Sequence, residues 1–227
     1  MGKVRAVCIS EKRGTQKKNI ESAVFVENWG IEGDAHAGNW HRQISLLSEE
    51  TIAAFKARGA EVTDGAFGEN LVVSGFDFTK FPVGTRFTCN DVVLELTQIG
   101  KECHHGCEIF QKIGECIMPT NGVFAKVLHG GKISVGDEFH VQYRAAVITL
   151  SDTASKGERQ DASGAAVEEI VGKECYEVVF KKIIPDDGDS LTALLCELSD
   201  EDKADLILTT GGTGFSKRDN TPEATMR

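Results

Sequence analysis

The chain has 227 residues, a net charge of −10, 41% hydrophobic residues and 26% charged residues. These proportions are typical of an ordinary globular protein with one large or two modest domains. No apolar run approaches the roughly 20 residues of a membrane span, and the first residues lack the apolar segment of a signal peptide. The acidic balance has no basic stripe, so we expect neither a nucleic-acid partner nor a membrane partner. Seven cysteines without a signal peptide indicate reduced thiols and a cytoplasmic location.

The first 143 residues contain many short apolar runs that are separated by glycines. This pattern predicts strands at 4–9, 42–47, 70–73, 92–97 and 122–128. It also predicts a hairpin-like stretch at 133–141 that turns at Gly136 and Asp137. One helix is expected at 49–58, with Ser48 as its cap. A series of short strands with so few helices favours a β-barrel or sandwich-like domain.

Two polar clusters interrupt these strands. In the first, Asp34, His36 and Arg42 crowd a turn that precedes an apolar strand. The simpler explanation is that Asp34 caps the turn and His36 is an ordinary loop histidine.

The second cluster places two thiols among basic side chains; its members are Lys101, Cys103, His104, His105 and Cys107. A thiol with such neighbours has a lowered pKa and can act as a nucleophile or sulfur carrier. The same residues could hold zinc, with the histidines or Cys116 completing a tetrahedral set. The third alternative is that the cysteines are buried and inert, which is the usual state of isolated ones such as Cys8, Cys89, Cys175 and Cys196.

The stretches 33–38, 42–47, 65–71 and 122–137, together with the surroundings of Cys107, resemble the MOSC domain over about residues 1–143. The resemblance implies a β-rich, barrel-like fold that handles molybdenum cofactor or sulfur, with Asp34, His36 and Arg42 as cofactor-binding residues. A single cysteine is the family's proposed sulfur carrier, and we match it to Cys107 because Glu108 and Ile109 fit the family's spacing. Cys103 is then an additional thiol that could attack a persulfide on Cys107.

The region 144–227 has a different organisation. Strands are predicted at 145–150, 176–184 and 206–210, the last of them buried on both faces, and helices at 161–171, capped by Asp161, and at 191–198. Alternating strands and helices imply a parallel sheet, whose ligands bind beyond the carboxyl ends of the strands. Asp152, Asp186 and a glycine-rich turn follow those ends.

The glycine-rich turn contains Gly211, Gly212 and Gly214, whose backbone N–H groups can approach a ligand closely. With the hydroxyls of Thr210 and Thr213, the turn suits a phosphate group, although an ordinary tight turn is the alternative. Asp219 is placed to hold Mg²⁺ against phosphate oxygens. Beyond it, Thr221 is predicted to cap a helix that begins at Pro222.

The stretches 149–152, 184–187, 209–214 and 218–224 resemble the molybdopterin adenylyltransferase family. That resemblance implies transfer of AMP from Mg-ATP to molybdopterin, with Asp186 and Asp219 as the functional, Mg²⁺-holding aspartates. Asp152 and residues 210–214 would bind the cofactor, and the region would also support self-association.

The second resemblance covers about half of the family's domain, so we expect the region 144–227 to be inactive in adenylyl transfer as it stands. The leading interpretation is a two-domain protein of molybdenum cofactor biosynthesis or maturation, with molybdopterin and other molybdenum-cofactor proteins as partners. Three alternatives remain open: a non-catalytic cofactor carrier, a component of a reductase for N-hydroxylated compounds, and a zinc-stabilised interaction protein.

Overall fold

The structure is a computed structural model that describes residues 1–102, 114–174, 176–216 and 218–226. The chain divides into two compact units, Met1–Val141 and Gln142–Arg227. Among the described residues, no helix is both long enough and apolar enough to cross a membrane.

In the part of the first unit that the structure describes, short strands dominate, together with one helix of eight residues and two shorter helical turns. Its strands are β1 (Gly2–Ile9), β2 (Lys18–Asn19), β3 (Ser22–Val26), β4 (Gly30–Ile31), β5 (Ile44–Ser48), β6 (Leu71–Ser74), β7 (Arg86–Cys89), β8 (Val92–Ile99), β9 (Val123–His129), β10 (Gly131–Ser134) and the beginning of β11 (Glu138–Leu150). The helical elements are α1 (Glu49–Lys56), a 3₁₀ turn (Phe78–Lys80) and α2 (Met118–Asn121).

The main sheet of this unit follows the order β11-β7-β8-β9-β5-β6-β1-β2, and β1 pairs in addition with the beginning of β11. The sheet is mixed, because β5 and β6 run parallel while pairs such as β8 and β9 run antiparallel. A small second sheet has the order β10-β3-β4.

The core of the first unit is rich in phenylalanine. Phe76, Phe78, Phe87 and Phe139 pack with ring centroids 5.4 to 6.2 Å apart, in the range where aromatic pairs attract one another. A second cluster lies beneath α1 and includes Phe55. Ser48 caps this helix by accepting a hydrogen bond from the N–H of Thr51, so the predicted helix and its cap are confirmed.

In the second unit, β11 pairs in parallel with β12 (Tyr176–Ile184) and with β13 (Leu206–Thr210). The helices are α3 (Asp152–Ser155), α4 (Ala162–Val171), α5 (Gly188–Asp200) and α6 (Thr221–Thr225). Leu150 lies opposite Ile184, and Thr149 lies opposite Thr210. The carboxyl ends of the three strands are therefore aligned, and whatever follows each strand is brought to the same edge.

Three sequence predictions are wrong in detail. The stretch 133–141 is not a hairpin, because β10 pairs with β3 and the residues after the turn enter β11. Strand β13 is half-buried, not buried on both faces. Asn220, not Thr221, precedes α6, because the hydroxyl of Thr221 donates to the carbonyl oxygen of Gly211 and does not cap the helix.

Candidate functional site

The clearest arrangement of functional groups in the second unit lies at the aligned strand ends. Asp152 follows β11 and Asp186 follows β12, and each is hydrogen-bonded to the other. The N–H of Asp152 donates to Oδ2 of Asp186 over 3.0 Å, and the N–H of Asp186 donates to Oδ1 of Asp152 over 3.2 Å. The fold thus brings together two predicted site residues that lie far apart in sequence.

The glycine turn follows β13 at the same edge. Gly211 and Gly212 have φ values of +89° and +60°, and a Cβ on Gly211 would collide with the carbonyl oxygen of Leu150. The N–H of Thr221 donates to the carbonyl oxygen of Gly212 over 3.1 Å, which ties the start of α6 to the turn. Oδ1 of Asp186 lies 3.5 Å from the point that a Cβ on Gly212 would occupy. The turn and the aspartate pair therefore form one site.

Arg218 and Asp219 approach this site from the loop after the turn. Nη2 of Arg218 donates to Oδ1 of Asp152 over 3.0 Å and to the carbonyl oxygen of Asp186 over 3.3 Å. Oδ2 of Asp219 accepts a hydrogen bond of 2.9 Å from the N–H of Ser216 and lies 3.0 Å from the position of a Cβ on Gly214. Thr210 ends β13 and is half-buried, whereas Thr213 is exposed.

The described residues contain no group of three or more His, Cys, Asp or Glu side chains that could hold a metal ion. Mg²⁺ does not need such a group, since it is usually bound by one or two carboxylates and by the phosphates of a substrate. Oδ1 of Asp152 and the carbonyl oxygen of Asp186 already accept hydrogen bonds from one guanidinium nitrogen, Nη2 of Arg218. The oxygen atoms at this edge therefore suit a cation. The assignment of Mg²⁺ to Asp186 and Asp219 stays a prediction.

The first unit contains a cavity of about 570 Å³. Basic and aromatic side chains are prominent in its wall, which includes Lys17, His36, Trp40, Arg42, Lys101 and Phe124. Of the predicted residues, His36 and Arg42 line this cavity. A wall of cations and rings suits a planar ligand with negative charge.

The side chain of Asp34 is fully buried and contacts Lys17 and His36, which line the cavity. Its Oδ2 accepts from Nζ of Lys17 over 2.6 Å and from Nδ2 of Asn70 over 3.1 Å, and its Oδ1 accepts from the N–H of Ser10 over 3.0 Å. Burial alone would raise the pKa of Asp34, but His36, Lys17 and Ser10 together hold it well below its usual range. Burial lowers the pKa of Lys17, and its pairing with Asp34 opposes this effect.

His36 has an unmet hydrogen-bonding capacity next to this pair. Its Nδ1 is buried, lies 3.8 Å from Oδ1 of Asp34, and has no hydrogen-bond partner among the described residues. This nitrogen faces the carboxylate of Asp34, so a ligand in the cavity would meet the exposed part of the ring of His36, whose side chain is 35% exposed.

Arg42 is held in place from two sides. Its Nε donates to Oε1 of Gln98 over 2.9 Å, and its guanidinium lies 5.2 Å from the ring centroid of Phe124. Nζ of Lys101 lies 6.0 Å from the same ring. Two cations thus lie against the ring of Phe124 at the cavity wall.

The reactive-thiol prediction rests on residues that lie outside the described part of the chain: Cys103, His104, His105 and Cys107. The sulfur-carrier and zinc interpretations therefore stay predictions. Burial raises the pKa of Cys8 and of Cys89 to about 12, which agrees with inert thiols. Cys196 is exposed on α5, so it is not a buried cysteine; Cys175 lies outside the described residues.

Sequence reasoning missed the two main partners of Asp34. Lys17 belongs to a polar segment between β1 and β2, where a lysine is normally solvated. Asn70 was part of a recognised motif, but its pattern gave no role. In the structure Asn70 also donates to the carbonyl oxygen of Cys8 over 3.0 Å, and its Oδ1 accepts from Oγ of Ser45 over 3.0 Å. These contacts join strands that are distant in sequence.

Residues 33–140 match the MOSC domain family, and residues 146–227 match the family described as "Probable molybdopterin binding domain". The two matches follow one another along the chain, one in each of its two compact units. The chain therefore carries a MOSC domain followed by a domain of the molybdopterin-binding family.

The relatives match the C-terminal part of the chain. The chain is 43% identical to the molybdopterin adenylyltransferase of Pyrococcus furiosus over 82 residues, which are 36% of this chain and 47% of that protein. It is 41% identical to the Helicobacter pylori molybdopterin adenylyltransferase over 81 residues, 35% of this chain and 46% of that protein. The chain therefore spans about half the length of these curated relatives.

A solved structure shares the β-rich fold. The YUAD protein from Bacillus subtilis aligns with a TM-score of 0.54 and 23% sequence identity, over 62% of this chain and 96% of that chain. At this level of identity the likeness describes the fold alone.

Proposed function

We propose that the second unit binds molybdopterin through its phosphate at the aligned strand ends. The observation that carries this proposal is the reciprocal pairing of Asp152 and Asp186 beside the turn of Gly211 and Gly212. Backbone N–H groups of a glycine turn bind phosphate oxygens, and nearby carboxylates hold the cation that neutralises phosphate charge. Relatives that are named molybdopterin adenylyltransferases support the same ligand.

In such relatives' reaction, a phosphate oxygen of molybdopterin attacks the α-phosphorus of ATP, and pyrophosphate leaves as the bond to the β-phosphate breaks. Mg²⁺ held by Asp186 and Asp219 would neutralise the charge on these phosphates. The described residues offer groups for phosphate and for a divalent cation, and we propose molybdopterin binding as the activity of this unit.

The test is retention of molybdopterin by the purified chain, with and without Mg-ATP, followed by mass spectrometry of the released pterin. We expect the wild-type chain to retain molybdopterin and Asp186→Asn to lose at least about tenfold in affinity, since a phosphate site would lose the carboxylate that organises its cation. Lys173→Ala is the control, because Lys173 precedes β12 and so lies near the opposite end of that strand. Unchanged binding by Asp186→Asn would refute the site.

We propose that the first unit is a barrel-like MOSC domain that binds molybdenum cofactor in its cavity. The additional pairing of β1 with β11, the strand at the other end of the sheet order, supports the barrel-like description. The cations of Arg42 and Lys101, which lie at the cavity wall beside Phe124, support an anionic occupant.

We also propose that Cys107 carries sulfur for this domain. The purified chain is incubated with a persulfide donor, whose outer sulfur the Cys107 thiolate attacks while the donor's S–S bond breaks and the donor leaves as a thiol. After digestion, the expected product is a peptide of Cys107 that is heavier by about 32 Da, the mass of one added sulfur atom. Cys107→Ala should abolish this product. If that variant keeps full cofactor delivery, sulfur carriage is refuted and the domain acts as a carrier without covalent chemistry.

A further inference from the structure

The guanidinium of Arg218 contacts both Asp152 and the backbone of Asp186 at the strand-end site. Its Nη2 contacts Oδ1 of Asp152 and the carbonyl oxygen of Asp186 over 3.0 and 3.3 Å. Oδ1 of Asp152 also accepts the N–H of Asp186. One side chain thus joins the ends of two strands to the loop that follows the third.

The same loop carries Asp219. The N–H of Asp219 donates to the carbonyl oxygen of Ser216, and the N–H of Ser216 returns a hydrogen bond to Oδ2 of Asp219, both over 2.9 Å. The N–H of Arg218 donates to Oγ of Ser216 over 3.3 Å. Because the loop is closed on itself, the position of Arg218 and the position of Asp219 are coupled.

The contact between Arg218 and Asp152 lies where other partners can reach it. The side chain of Arg218 is 61% exposed and that of Asp152 is 31% exposed. Exposed ion pairs contribute little to stability, so a stronger partner can replace either member. Arginine also binds phosphate oxygens through two parallel N–H groups, which a single carboxylate oxygen does not use.

We propose that Arg218 is a positioning residue that changes partners when the strand-end site is filled. In the free protein it occupies the carboxylate of Asp152 and holds the Asp219 loop against the strand ends. When a phosphate-bearing ligand and its divalent cation arrive, Arg218 releases Asp152, which joins Asp186 and Asp219 around the cation, and Arg218 turns to the phosphate oxygens. The inference rests on the proposed phosphate site, and it adds a competition between Arg218 and the metal.

This competition predicts effects of opposite sign for two simple probes, Mn²⁺ alone and inorganic pyrophosphate alone. We expect Arg218→Ala to bind Mn²⁺ about two- to fivefold more tightly, because the competing cation is gone. The same variant should bind pyrophosphate about two- to tenfold more weakly, because a phosphate ligand is lost. Arg218→Lys should stay closer to wild type for both, since it keeps the charge and loses the fork geometry.

The experiment uses the full chain, with Mn²⁺ measured by electron paramagnetic resonance and pyrophosphate by calorimetry. Both are repeated in an Arg42→Ala background, so that anions bound in the first-unit cavity are not counted. Lys173→Ala is the matched control for the loss of one positive charge, since its exposed pair with Glu169 lies beside α4.

If the role of Arg218 is purely structural, Arg218→Ala will bind both Mn²⁺ and pyrophosphate more weakly than wild type. That result would overturn the proposal. So would equal affinities in wild type and Arg218→Ala, or a wild-type chain that binds neither probe. These outcomes are separate from failure of the proposed function, which is read from molybdopterin retention in Asp186→Asn.

Discussion

Asp152 and Asp186 are joined by two backbone-to-carboxylate hydrogen bonds that run in opposite directions, over 3.0 and 3.2 Å. Each residue therefore fixes the backbone that carries the other. The arrangement orders two loops that leave neighbouring parallel strands, and it leaves the carboxylates at the edge where ligands bind.

The reciprocity predicts a crossed effect on amide exchange. Asp152→Ala should accelerate hydrogen exchange at the N–H of Asp186, and Asp186→Ala should accelerate it at the N–H of Asp152, because each variant removes the other's acceptor. Either substitution should destabilise the second unit by about 0.5–1.5 kcal/mol. Exchange measured by NMR is the check. Acceleration confined to the substituted residue's own amide would contradict the reciprocal pair.

Gly211 should tolerate no side chain. At φ +89°, a Cβ would meet the carbonyl oxygen of Leu150, so Gly211→Ala should cost on the order of 3 kcal/mol or more. Gly157→Ala is the matched control, because Gly157 has φ +76° but nothing within 4 Å of its Cβ position. It should cost only about 1 kcal/mol, the price of a left-handed alanine. Exchange mass spectrometry of β11 and β13 gives the comparison, and equal losses would refute the steric argument.

Lys17→Met should strongly destabilise the first unit. The side chains of Lys17 and Asp34 are 2% and 0% exposed, so the variant leaves a buried carboxylate without its counter-ion. The expected loss is roughly 3–5 kcal/mol. The double variant Lys17→Met with Asp34→Asn should recover most of it. Urea unfolding followed by tryptophan fluorescence reports this unit, because Trp29 and Trp40 are the chain's two tryptophans. No recovery in the double variant would argue against the buried charge as the cause.

The stability of the first unit should fall as pH rises through Glu69's titration range. Glu69 is fully buried, and burial raises its pKa to about 7, although the N–H groups of Gly65 and Phe67 donate to it. Between the unfolded pKa near 4.5 and the folded pKa near 7, the folded state binds the extra proton. Its contribution is therefore complete below about pH 4.5 and lost by about pH 7, with a change of about 2–4 kcal/mol.

Glu69→Gln provides the comparison, since it cannot titrate. The unfolding free energy of wild type minus that of Glu69→Gln should decrease from pH 4.5 to pH 8. Tryptophan-monitored urea unfolding at several pH values measures it. A difference that does not change with pH would show that Glu69 keeps one protonation state.

Much of the second unit could be predicted because its signals are local. The strands at 176–184 and 206–210 are observed with those bounds, and Asp161 caps α4 by accepting the N–H of Gly164 over 2.8 Å. Apolar runs and caps depend on neighbouring residues only, so the sequence displays them. Strand β10 pairs with β3, which lies more than a hundred residues away in the chain. No local pattern shows this partner, so the sequence predicts that the turn at Gly136 joins two neighbouring strands in a hairpin.

The amino-acid sequence by itself determined the two-domain order, the glycine turn and the aspartates that follow the strands, because motifs and periodicity are properties of adjacent residues. Only the tertiary structure decided which of these groups meet. In that structure Arg218 donates a hydrogen bond to Asp152, and Lys17 is buried against Asp34. The hydroxyl of Thr221 donates to the carbonyl oxygen of Gly211 and does not cap its own helix. Such contacts join segments that are distant in the chain, and their partners are selected by the register and packing of strands that no local pattern specifies.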